Sequence, residues 1–212
     1  MKDNFNQKYI YIILSKTNNK MGEFIRFMTH FEYNHVSISL NDNFNNLYSF
    51  ARYYKSAPLV GGFINESILR YKSSNANLKI FKIPVTSKQY NDIYFYIEKV
   101  KLCEKKYIYN TLSAMASFFH ADIKIRNSFT CIGFINYILK NFEVLDFNQK
   151  EVRTIKSLNQ RLKYFEYYEG NINHLKVEND WGADLYLNKK GIIATFVLTL
   201  CNFTKLLYRF II

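Results

Sequence analysis

Apolar and polar positions alternate along this chain with two distinct periods, and the changes of period mark its elements. Tyr9–Leu14 is an unbroken β-branched and aromatic run, the pattern of a buried strand. In MGEFIRFMTHF, Phe24, Met28 and Phe31 return at helical spacing. Val36, Ile38 and Leu40 alternate with Ser37 and Ser39, which predicts a half-buried strand. An Asn/Asp-rich turn over Asn41–Asn46 leads to a second strand around Leu47–Ala51, making a hairpin. Pro58 and the Gly61-Gly62 pair mark a turn or a close backbone approach.

Asn77–Val85 is a further strand. Thr86 or Ser87 then caps a long helix running to about Lys101, with Tyr90, Ile93, Tyr94 and Ile97 on one face. A second helix is predicted from about Tyr109 to Phe119, and a third from Cys131 to Leu139. Ile132, Ile135 and Leu139 line the buried side of that third helix, with Phe134 and Ile138 adjoining. Ile155–Leu162 reads as a short helix and Tyr164–Tyr168 as a strand. Strands and helices in this order cannot be built wholly from βαβ units. The expected class is α+β, with a mostly antiparallel sheet packed with helices.

Residues 1–174 form the expected domain, and 175–212 a C-terminal extension. Its end, GIIATFVLTLCNFTKLLYRFII, is the most apolar part of the chain. The uninterrupted stretch before Lys205 is 14 residues, against about 20 needed to span a bilayer. As a helix it carries Thr195, Thr199, Asn202, Lys205 and Arg209 on one narrow stripe. That pattern suits a helix docked on the domain or a dimer partner, or one lying in a membrane interface, more than a spanning one.

Charge adds a partner class. Lys and Arg exceed Asp and Glu to give a formal net charge of +12, which favours anionic partners such as phospholipid surfaces, acidic polymers or nucleic acid. The basic residues are scattered, and EKVKLCEKK, Glu98–Lys106, mixes in acids, so solvated helix surface is the plainer reading there. No nucleic-acid-binding motif is recognisable, which ranks that partner last. The cysteines, at 103, 131 and 201, include no CxxC pair that would indicate zinc or thioredoxin-type chemistry. The apolar run YIYIIL is shorter than a signal-peptide core. A reducing cytoplasm, free or at the membrane periphery, is the expected location.

The stretch NSFTCIGFINYIL concentrates the candidate chemistry. Thr130 can cap the helix and fix Cys131 in its first turn, where unpaired N–H groups and the positive end of the dipole favour a thiolate. The backbone N–H of Cys131 or Ile132 could then serve an oxyanion hole. Of four histidines, His30 lies in the first helix, and His120 and His174 in polar loops. His35 opens a strand, at a sheet end where a general base facing a helix N-terminus is expected. Taken singly, a Cys beside apolar residues is more often packing, and a strand His more often a satisfied polar group.

Two segments, NHVSISL and FTCIGFINYIL, resemble the His strand and the Cys helix of the circularly permuted papain-like cysteine hydrolases. These are the YiiX-like and lecithin:retinol acyltransferase-like enzymes, permuted relatives of the NlpC-type amidases. As in permuted members the His comes first, and Cys131 follows His35 by 96 positions. YSFARY, GGFINESI and YFEYYEGNI extend the similarity over roughly residues 8 to 174. The resemblance implies a permuted papain-like (NlpC-type) core, Cys131 as nucleophile and His35 as base. It also implies a polar residue on the next strand orienting the imidazole, for which Ser49 is the candidate, then Tyr48, with Glu66 more remote. Cys-Ile-Gly-Phe departs from the more polar helix start of the family, and Ser49 is neither a carboxylate nor a His. The implied activity is hydrolysis or acyl transfer at an amide or ester of a peptide or lipid, through a thioester, with neither metal nor cofactor. The alternative is an inactive member of the fold that binds an anionic lipid surface or another partner.

Overall fold

The central strand of the molecule is its first, Lys8–Ser15 (β1), which is antiparallel to a neighbour on either side. In this computed structural model, residues 7–17, 20–54, 57, 59–72, 74–116, 123–146, 152–175 and 191–211 are described. Pro58 and His120 lie outside them. After β1 come Lys20–Thr29 (α1), His35–Ser39 (β2), Leu47–Arg52 (β3), Gly61–Glu66 (β4) and a 3-10 turn, Ile68–Tyr71. Asn77–Val85 (β5), Ser87–Leu102 (α2), Ile108–Tyr109 (β6) and Thr111–Ala116 (α3) follow. The chain continues through Ser128–Phe129 (β7), Cys131–Asn141 (α4), Ile155–Arg161 (α5), Glu166–Asn171 (β8) and Ile192–Ile211 (α6). The sheet order is β4-β3-β2-β1-β5-β8, antiparallel throughout, while β6 and β7 pair in parallel. The fold is therefore α+β.

The sheet is buried on both faces. On one, Ile10, Ile12 and Leu14 of β1 join Val36, Ile38 and Phe50 beneath α2, α4 and α5, which contribute Ile97, Phe134 and Leu158. The residues that alternate with these, Tyr11 and Ile13 of β1, Leu47 of β3 and Leu78 and Ile80 of β5, pack on the other face. There Phe44, Ile68, Tyr71 and Ala76 close over them. This second cover corrects one expectation. β2 is buried along its whole length rather than on one face, because Ser37 and Ser39 lie beneath the covered side.

Local chemistry explains the element ends. Thr86 begins α2 with a reciprocal cap: its hydroxyl accepts from Gln89 N at 3.1 Å, and Gln89 Oε1 accepts from Thr86 N at 2.9 Å. The Gly61-Gly62 pair opens a strand rather than making a turn. A Cβ on Gly61 would come within 2.2 Å of the Ala51 carbonyl, and one on Gly62 within 2.2 Å of the Tyr53 hydroxyl, so the close approach is real. Burial at this spot raises the Tyr53 pKa to about 12.

Candidate active site

Thr130, Cys131 and their neighbours are held by three rings. Phe129 and Phe134, on either side of the cap, lie 5.2 and 5.1 Å from Phe50 of β3, ring centre to ring centre. Thr130 caps α4 as expected, accepting from Gly133 N at 3.0 Å. Gly133 suits that turn, since a Cβ there would stand 3.1 Å from the Thr130 hydroxyl oxygen. Cys131 is thus the first residue of α4, half-buried against the larger core cluster. It sits where first-turn N–H groups have no partner within the helix. Ile132, the candidate oxyanion amide, follows in the same turn, with its side chain half-exposed rather than fully buried.

Ile38 stands opposite Tyr48. Continuing that antiparallel register sets Val36 beside Phe50, so β2 begins at the end of the sheet over which α4 begins. His35 and Cys131 are therefore brought to one end of the fold. The strand pleat then decides where the imidazole points. Val36 faces α4, so His35 turns to the other face. There its Nε2 lies 2.9 Å from Glu66 Oε1, a contact in which both side chains are buried. Among the described residues no hydrogen bond joins the Cys131 thiol to the His35 ring.

Glu66 reaches this place for a reason. It ends β4 opposite Leu47, and directly opposed residues share a face, here that of the second cluster. The Tyr71 hydroxyl donates to Glu66 Oε1 at 3.1 Å, and Arg70 pairs with Oε2. A carboxylate so enclosed needs its charge matched: His35 and Tyr71 hydrogen-bond Oε1, and Arg70 supplies the opposite charge beside Oε2. Because an ionised carboxylate only accepts, Nε2 carries the proton in the neutral ring and Nδ1 keeps its lone pair.

Ser49, the expected orienting residue, does not touch the imidazole. Ser49 is fully buried, but its hydroxyl donates 2.6 Å to the Val36 carbonyl, so it braces the hairpin instead of the imidazole. Tyr48 faces the α4 side, stacked on Phe63 at 6.0 Å. The group bonded to His35 is Glu66, two strands away. The other two described histidines stay apart from this cluster: His30 is exposed beside Phe27, and His174 ends a short 3-10 turn at the surface. Cys103 terminates α2, and Cys201 lies exposed on α6.

Beside the first turn of α4 opens a cavity of about 690 Å³. Thr130, Ile132, Gly133 and Asn136 line it, and Lys124, Arg126 and Lys140 stand exposed at its edge. No Asp or Glu is among the described residues that line it. No family model, curated protein or solved structure matches this chain.

Proposed function

We propose that this protein is a cysteine-dependent hydrolase or acyl transferase with a permuted papain-like core, acting on an amide or ester of a peptide or lipid. Cys131 is the nucleophile, His35 the acid–base, and Glu66 the residue that orients it. The observation that carries the reading is the buried contact between Glu66 and His35, the residue that opens β2 at the sheet end over which α4 begins. Glu66 holds Nε2, which leaves Nδ1 as the free nitrogen to take the thiol proton. The ring rests on the sheet face away from α4, so forming the dyad requires His35, at the very start of β2, to turn toward Cys131 when substrate binds.

In the reaction, His35 removes the Cys131 proton and the thiolate attacks the carbonyl carbon. The first-turn amides of α4 receive the oxyanion. As the C–N or C–O bond breaks, His35 returns the proton to the departing amine or alcohol, leaving an acyl thioester on Cys131. His35 then deprotonates water, or an acceptor alcohol or amine, which attacks the thioester and releases the acyl product with regeneration of the thiol. Cys131 and His35 are not among the described residues that line the cavity beside α4; its basic edge suits an anionic group of a substrate that extends from the thiol past Thr130 and Ile132.

A p-nitrophenyl acyl ester tests this directly. The expected result is nitrophenolate release with a hydroxylamine-sensitive acyl adduct on the peptide that contains Cys131. Cys131→Ala abolishes the adduct, and His35→Ala slows it by about a hundredfold or more. Equal acylation of Cys103 and Cys201 would contradict the assignment. It would favour the second reading, an inactive binding member of the fold, which the turn of His35 toward Glu66 and away from α4 supports.

A further inference from the structure

α6 is mounted inside out. Thr195, Leu198, Thr199, Asn202, Leu206 and Arg209 recur at three- and four-residue steps and are its least exposed positions. Most of its polar stripe therefore faces the domain, with Lys205 alone of the expected five fully exposed. Asn202 Nδ2 donates to the Leu59 carbonyl at 2.8 Å, and Arg209 donates to the Asn127 carbonyl at 3.1 Å. Leu206 fills a small cluster with Ile108 and Ile125. The large apolar side chains point outward: Ile193 is 83% exposed, Phe196 70% and Ile211 81%. A helix of a soluble domain normally buries that face, and an exposed apolar surface of this extent marks an interaction site.

From this we infer that α6 is an interfacial membrane anchor that seats the domain on an anionic phospholipid bilayer. Charge selects the occupant. No acidic residue follows Asp184, whereas Lys189, Lys190, Lys205 and Arg209 do. Arg126 stands close enough to Arg209 to lower its pKa, after burial. A second copy would bring the same excess of cations, with no acid on its α6 to offset Lys205 and Arg209. Anionic headgroups supply the missing charge.

The anchor's attachment sets its orientation. At 20 residues α6 is about 30 Å long, enough to cross a hydrocarbon core. Its bonds to Leu59 and Asn127 and its packing on Ile108 and Ile125 instead hold it alongside the domain, flat in the interface. Because Ile125, Arg126 and Asn127 also line the cavity beside α4, the same seating brings that cavity to headgroup level. The inference stands on α6 alone and does not require Cys131 to be reactive.

Flotation of the full chain with phosphatidylglycerol–phosphatidylcholine vesicles, against pure phosphatidylcholine, tests it. The expected result is binding to the anionic vesicles, release by alkaline carbonate, and a loss of at least about tenfold in partitioning for Ile193→Asp/Val197→Asp. The thermal unfolding midpoint of that variant should match wild type, since both side chains face away from the domain. Lys205→Glu should weaken anionic binding without touching the apolar face. Equal binding to neutral vesicles, or retention after carbonate, would overturn the interfacial anionic assignment. So would failure to float accompanied by a dimer that Ile193→Asp/Val197→Asp dissociates.

Discussion

Two helices of this chain, α4 and α6, are nearly equally apolar in sequence and end in opposite situations. α4 turns Phe134, Ile135, Ile138 and Leu139 onto the sheet, all of them fully buried. α6 turns its aliphatic and aromatic side chains outward and buries Asn202 with Leu206. The difference lies in what each meets. α4 begins over Phe50 and Phe63, an aromatic surface that rewards apolar contact. α6 runs past open backbone carbonyls, those of Leu59 and Asn127, which need donors that an apolar face cannot supply. Amphipathic pattern thus reveals that a helix has two faces, while the groups opposite decide which one turns inward.

Substitutions should separate the two helices clearly. The largest effect is expected from Phe134→Ala, a loss of about 3–5 kcal/mol in urea unfolding, because the ring touches several buried neighbours. Ile193→Ala on α6 should stay within about 0.5 kcal/mol of wild type. A loss as large as that of Phe134→Ala would mean that the outer face of α6 is buried in solution. Next comes Glu66→Gln, which keeps the shape but removes the charge facing His35 and Arg70. A destabilisation of about 1–3 kcal/mol is expected, with a marked fall in Cys131 reactivity. Unchanged reactivity would reduce Glu66 to a structural role.

Smaller effects sharpen the contrast. Thr130→Ala removes the cap of α4 and should cost about 1 kcal/mol. Asn202→Ala removes the bond to the Leu59 carbonyl and should also cost about 1 kcal/mol. In the second case, proteolysis at α6 should accelerate well before the sheet unfolds. Simultaneous loss of the sheet would show that α6 belongs to the core.

Much of this architecture is legible along the chain, because local pattern governs it. The bounds of β5 and the start of α4 at Cys131 follow from period and capping alone, and the cap of α2 is narrowed to Thr86 or Ser87, of which Thr86 holds it. β4 does not: Gly61-Gly62 reads as a turn or a close backbone approach, and the crowding by Ala51 and Tyr53 decides for the second, in glycines that open a strand. The Glu66–His35 contact joins positions 31 apart and two strands removed, so local adjacency pointed to Ser49 instead. Parity was the available signal. Ser37 and Ser39 share a face with His35, and a face rich in small polar residues beneath a buried cover is where an enclosed carboxylate can be held. The inward turn of Asn202 depends on carbonyls of distant loops, which no period encodes.

The central claim is that the capped Cys131 is a nucleophile tuned by His35. It is tested most directly by the pH dependence of alkylation at each cysteine, resolved by peptide mass spectrometry in wild type and His35→Ala. The account predicts that Cys131 reacts below pH 7 far faster than Cys103 or the exposed Cys201, and that this advantage disappears without His35. A Cys131 that titrates like the other two thiols, or reacts identically in His35→Ala, would contradict it.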